Sequence, residues 1–243
     1  MQFGWIEEKC AFFFSAYETL FTYKGSKESV LVNLLEEVGI RITIPAAKIA
    51  FLTTEMMIPS KGYTIKSAEE KNKFWNEFSA TLVRNCGIED KDGTIAALVA
   101  RRFRSPDIWV AYPDAQPALE ALKKRGCLLG VIANGEHHVK ETLIKLSLAE
   151  FLDVITISED VGVEKPDPRI FKLTIEQFGL RPEKCAYVGD VPEIDLAGAR
   201  NAGITPVWID RNRLARKIGD INKVEVLTDV EFLFPIIPYK KDK

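Results

Sequence analysis

The chain has 243 residues, 47% of them hydrophobic, which is enough for one large domain or for a core domain with a smaller insert. Lys and Arg number 33 against 35 Asp and Glu, a net charge of −2, so there is no chain-wide basic field to hold nucleic acid or an anionic membrane, and a small-molecule partner is expected. Cys10, Cys86, Cys127 and Cys185 form no CxxC pair, and three of them lie in or beside apolar runs, which predicts reduced, buried thiols and a cytoplasmic protein. The two histidines, His137 and His138, are adjacent and too few for a multi-histidine zinc site. The start MQFGWIEEKC has no basic segment followed by an apolar one, and no apolar run reaches about 18 residues, so neither secretion nor membrane spanning is expected.

The first predicted strand is 10–14, a continuous apolar run of the kind buried on both faces of a parallel sheet, followed by a turn at 15–19. From 26 to 104 the period becomes helical. Val30, Leu31, Leu34, Leu35 and Val38 form one stripe, Phe74, Trp75, Phe78 and Leu82 a second, and Ile95, Leu98, Val99 and Phe103 a third. Ser67 with Glu70 reads as the capping box that opens the second. Beyond Pro106 the pattern alternates: helix 114–125, strand 127–132, helix 138–148, strand 153–157, helix 168–178, strand 185–188, helix 192–202, strand 205–209. Strands and helices alternating at these lengths predict an α/β fold, a doubly wound parallel sheet carrying an inserted all-helical domain. Asp114 and Asp167 are expected N-caps, and Gly126 and Gly203 stand where helix-terminating glycines belong. Open parallel sheets bind ligands beyond the carboxyl ends of their strands, so the segments to inspect are 15–19, 133–138, 158–165 and 190–195.

Those segments read FFFSAYETLF, GVIANGE, EKPDPRIF and YVGDVPEIDLAGARNAG. In this order the set resembles the haloacid dehalogenase (HAD) superfamily of hydrolases, helical-cap subgroup. That family's motifs are a DxDGT-like turn, a Ser or Thr after the second strand, a Lys usually followed by Pro, and GDxxxxD. The resemblance implies a Rossmann-like core over 1–21 and 109–243 and a helical cap over 22–108. It also implies a carboxylate nucleophile that forms a covalent ester, a lysine and a hydroxyl that neutralise developing charge, and acids that hold Mg²⁺.

The departures bear on chemistry. Ser15 stands where the resemblance implies the nucleophilic Asp, Tyr17 where phosphatases of the family place the leaving-group acid, and Ala133 where they place the phosphoryl-binding hydroxyl. Motif I is thus degenerate, and so is motif II. By the same resemblance Lys165 pairs with the motif I side chain and a substrate oxygen, and Asn134 and Gly135 join Ala133 and Lys165 in the phosphate-binding segment. Asp190 is a catalytic and metal-binding acid, and Asp195 is a second metal ligand. Losing the motif I carboxylate is expected to weaken Mg²⁺, and no organic cofactor is expected.

Three functions are consistent with this set. One is a phosphatase-type scaffold for a small phosphorylated metabolite or phosphate whose Asp-nucleophile catalysis is lost or severely weakened. Another is a non-catalytic ligand-binding or regulatory module, and the last is a rewired hydrolase in which His138 activates Ser15. Arg101, Arg102 and Arg104 are either an anion-facing cluster or a solvated helix face. The helical insert and the apolar stretch 232–239 are the candidate surfaces for a homodimer, although that stretch can equally pack on the core.

Overall fold

A computed structural model describes residues 8–57, 68–211, 213 and 221–240. The chain divides into two compact units, Met1–Thr22 with Val110–Lys243, and Tyr23–Trp109.

The first unit is built on β1 (Ala11–Phe14), while β2 (Phe21–Tyr23) and β3 (Trp109–Ala111), at the two unit boundaries, form a separate two-stranded sheet. β1 is buried along its whole length, as its unbroken apolar sequence requires, and pairs in parallel with β4 (Leu128–Ala133) on one side and β6 (Cys185–Gly189) on the other. β5 (Val154–Ile157) extends the sheet beyond β4, and β7 (Thr205–Ile209) then β8 (Asn222–Val224) extend it beyond β6, giving the order β5-β4-β1-β6-β7-β8. The register sets Phe14 beside both Val131 and Val188, so the chain leaves β1, β4 and β6 at nearly the same level. That shared level is why the residues after these three strands meet.

The helices of this unit are α5 (Ala115–Lys124), α6 (His138–Lys145), α7 (Ser158–Val161), α8 (Pro168–Glu176) and α9 (Ala197–Asn201). Ile170, Phe171 and Ile175 of α8 pack with Phe13, Ile132 and Tyr187 from the sheet. Gly126 takes φ +78 just past α5, a left-handed conformation that an L side chain rarely adopts. Asp167 caps α8 as expected, accepting from the Arg169 amide at 2.9 Å. Asp114 occupies the N-cap position of α5, but its side chain makes no capping bond there. Its carboxylate accepts from the Leu227 amide at 2.8 Å and from Arg211 at 3.1 Å, so a long-range demand displaces the local one. The stretch 232–239 packs on its own unit: Ile237 N–H donates to the Lys9 carbonyl, Tyr239 N–H to that of Gly126, and the Tyr239 hydroxyl to that of Phe178.

The second unit carries α1 (Lys27–Glu37), α2 (Ile44–Met57), α3 (Ala68–Asn85) and α4 (Thr94–Phe103). Leu31, Leu34 and Leu35 of α1, Ala47, Ala50 and Phe51 of α2, Leu82 and Val83 of α3, and Ala96 and Val99 of α4 form its core. Periodicity did not single out α2. Its sequence IPAAKIAFLTTEMM is apolar nearly all round, so it shows no contrast between faces. Phe74 is buried, with Trp75 and Phe78 in ring contact beside it, while Val38 at the end of the first stripe is exposed. Of the arginines, Arg102 is ion-paired with Glu37, Arg104 donates to Asn72, and Arg101 lines a surface hollow with Asp92 and Thr94. Ser67, half of the expected capping box, lies outside the described residues. Among the described residues no helix is long and apolar enough to cross a membrane, and all four cysteines are unpaired.

Candidate functional site

Four buried polar side chains converge beneath the ends of β1, β4 and β6. Lys165 Nζ donates to Asp195 Oδ1 at 2.7 Å, to the Tyr187 hydroxyl at 2.8 Å and to Ser15 Oγ at 3.2 Å. Its side chain is 4% exposed and that of Asp195 2%, so the ion pair is withdrawn from water. Three acceptors match the three N–H bonds of an ammonium, which is how a buried charge of this kind is made tolerable. The main chain of Lys165 is held as well, donating to Asn134 Oδ1 at 2.7 Å and accepting from Asn134 Nδ2 at 2.9 Å.

Sequence reasoning missed Tyr187. It sits mid-strand in β6 among Ala186 and Val188, and its hydroxyl meets Lys165, Asp195 (3.1 Å) and the Ile132 carbonyl (3.0 Å). A tyrosine inside a strand apolar on both faces was the available signal, because its hydroxyl needs a buried partner. Burial, and then the charge of Asp195, hold that hydroxyl well above its usual pKa of 10, so it stays a neutral donor and acceptor.

Asp195 carries a correction. Oδ1 is taken by Lys165 and Tyr187, and Oδ2 accepts from the Val191 amide at 3.0 Å, so the carboxylate is the counter-ion of the lysine and not an open metal ligand. The same approach explains Gly189. A Cβ there would fall 2.4 Å from the Asp195 Cβ, so only glycine lets the π-helical turn Pro192–Leu196 close against β6.

Asp190 lies beside this network. Its Oδ1 accepts from the Thr19 hydroxyl at 3.1 Å, and its carbonyl accepts from the Trp208 indole at 3.2 Å. Burial, reinforced by the Asp195 charge, pushes its carboxyl up to about 7, against the opposing pull of Thr19 and Lys165.

The segment after β4 makes its own internal bonds. The Asn134 side chain is committed to the Lys165 main chain, and the Gly135 amide donates to Ser158 Oγ at 3.1 Å. Both are therefore internal braces, and the Ala133 methyl is buried and offers no hydrogen bond. Ser15 and His138 are not brought together. His138 Nε2 pairs with the Tyr17 hydroxyl at 2.8 Å, and its Nδ1 lies 4.0 Å from Glu136. His137 faces Asp160 at 3.4 Å and Glu159 at 3.9 Å. The polar neighbour of the Ser15 hydroxyl is Lys165 Nζ, which donates to it at 3.2 Å. No imidazole activates this serine.

The model of the haloacid dehalogenase-like hydrolases matches residues 12–203, which takes in every residue of the lysine network. The chain belongs to this family. A phosphoserine phosphatase of Thermus thermophilus is 40% identical over 131 residues, covering 50% of this chain and 53% of that protein, so the match spans about half the relative's length. A glyceraldehyde 3-phosphate phosphatase of Methanopyrus kandleri is 35% identical over 167 residues, 66% of this chain and 72% of the relative. Among solved structures, a HAD-hydrolase of Bacillus subtilis bound to magnesium superposes with a TM-score of 0.73 at 20% identity over 93% of this chain and 99% of the other. A dehalogenase in an intermediate complex gives 0.68 at 22% over 97% and 100%. Both establish the shared fold.

HAD proteins generally use Mg²⁺, and the donor set of this chain can be tested for it. Magnesium requires hard oxygens in octahedral array and usually takes one or two carboxylates. Here both Asp195 oxygens are taken by Lys165, Tyr187 and the Val191 amide, Ser15 offers a neutral hydroxyl already hydrogen-bonded to Lys165, and Asp190 is the one carboxylate of the set left, itself accepting from Thr19. Among the described residues no three His, Cys, Asp or Glu side chains cluster to hold a metal. These residues do not fit a resting Mg²⁺ site.

Proposed function

We propose that this HAD-family protein binds a small phosphorylated metabolite or phosphate at the Lys165 end of its sheet, and that attack by an aspartate nucleophile is lost. The observation that carries this reading is the contact of Ser15 with Lys165 at 3.2 Å. In place of an anionic nucleophile steered by a lysine, the chain presents a neutral hydroxyl to which the lysine donates. The ammonium is the group that meets a ligand oxygen, displacing the Ser15 contact, which is the longest of its three. Tyr187 and Asp195 keep the ammonium in place as that exchange occurs, and Asn134 keeps its main chain fixed. The phosphatases named among the relatives support a small phosphorylated compound as the ligand class.

Phosphatase turnover measured on wild type, Ser15→Ala, and Ser15→Asp combined with Ala133→Ser tests the chemical half. Wild type and Ser15→Ala are expected to be equally inert, and the double substitution to gain measurable hydrolysis, since removing a covalent nucleophile commonly costs several powers of ten in rate. Wild-type turnover at the rate of an ordinary family phosphatase would overturn the reading. Thermal-shift titration with phosphate and a panel of sugar phosphates tests the binding half, and stabilisation by none of them counts against it.

A further inference from the structure

Glu18 takes φ +53, a left-handed conformation that a residue with a Cβ adopts at a cost. Its carboxylate accepts from the Thr22 hydroxyl at 2.9 Å on one oxygen and from the Tyr112 hydroxyl at 2.8 Å on the other. The Tyr112 ring is covered by the Arg211 guanidinium, whose Cζ lies 3.5 Å from the ring centroid. Arg211 in turn grips both Asp114 oxygens at 3.1 Å and donates to the Thr19 carbonyl at 2.6 Å. Thr19 is the residue whose hydroxyl orients Asp190. One side chain from the end of β7 thus holds the segment leaving β1 and the segment returning at 110–114, and through Thr19 it reaches the pocket.

We propose that Arg211 is a positioning residue for the phosphate pocket, acting with Tyr112, Asp114 and Glu18 as a clasp that fixes the Ser15–Thr19 turn and, through the Thr19 hydroxyl, the orientation of Asp190. A guanidinium suits this task because it donates in a planar fork to Asp114 while its face stacks on a ring, a combination lysine cannot reproduce. The clasp also accounts for Glu18 in a left-handed position: the two hydrogen bonds to its carboxylate offset a strained backbone.

The Trp208 indole provides a reporter, since its N–H donates to the Asp190 carbonyl. In ¹H–¹⁵N spectra of the full chain, Arg211→Gln is expected to shift the Trp208 indole cross-peak and to raise the dissociation constant for inorganic phosphate by about tenfold. Arg211→Lys, which keeps the charge and loses the fork, should give a smaller change in both. Glu18→Gly separates positioning from stability, because glycine relieves the left-handed strain while freeing Tyr112. It should move the indole peak with little change in Tm. Leu35→Ala in the core of the helical unit is the control and should lower Tm with the peak in place.

An indole peak unmoved in Arg211→Gln, or moved as far by Leu35→Ala, overturns the clasp. If Arg211→Gln does not fold, Glu18→Gly and Tyr112→Phe decide by the same peak. The phosphate measurement rests on the function proposed above and the indole measurement does not. A wild type indifferent to phosphate therefore overturns that function and leaves the clasp to be judged by the spectra.

Discussion

At the end of β6 a closed hydrogen-bond network is in place. Gly189 admits Asp195, Asp195 holds Lys165, and Tyr187 closes the network from inside the strand. At the ends of β1 and β4, a few ångströms away, Ser15 and Ala133 present a neutral hydroxyl and a methyl. The two sides differ because they answer to different constraints. A buried ammonium must be paired whatever the protein does, so Asp195 and Tyr187 are bound into folding energetics. A neutral hydroxyl at position 15 and a methyl at position 133 face no such demand, because neither carries a charge that must be compensated.

The sharpest way to break this comparison is Asp195→Ala, which strands the Lys165 ammonium at 4% exposure. Urea denaturation should show a loss of about 3–5 kcal/mol. A loss under 1 kcal/mol would mean the lysine network is not a folding requirement.

Asp190→Asn comes next. Because the folded carboxyl is raised to about 7 from 3.8, the folded state holds a proton that the unfolded chain has released between those pH values. The contribution of Asp190 to stability is thus present below about pH 4 and is lost as pH rises toward 7, by at most about 4 kcal/mol. The substitution should flatten the stability profile across that window, with the difference between variant and wild type growing as pH rises. Parallel profiles for the two proteins would show that Asp190 is not perturbed.

Ser15→Ala is the smallest change. It removes one 3.2 Å bond from an ammonium that keeps two shorter ones, so thermal denaturation should register about 1 kcal/mol or less. A loss as large as that of Asp195→Ala would move Ser15 from the functional side of the comparison to the structural one.

Much of the site was legible because its signals are local. The apolar run of β1, the Lys–Pro step and the Gly–Asp pair each lie within a few residues, and alternating strands and helices fix which ends they occupy. The residues that went unread act at a distance. Tyr187 meets Lys165 across 22 positions, Asn134 braces it across 31, and Arg211 reaches Thr19 across 192. Asp114 stands at the N-cap its sequence neighbours indicate, yet an arginine 97 residues away claims its carboxylate. β8 was equally hidden. Two of its three residues are polar and exposed, and its strand character comes from pairing with β7 alone.

By itself the sequence determined the doubly wound sheet, the helical insert and the absence of an aspartate at position 15, because period, order and residue identity are properties of the chain. Tertiary structure alone decided that Asp195 serves Lys165, that His138 turns to Tyr17 and not to Ser15, and that Asn134 braces the Lys165 main chain while Gly135 donates to Ser158. Hydrogen bonds are set by distances of about 3 Å, and only the register of β1, β4 and β6 brings these side chains within that range.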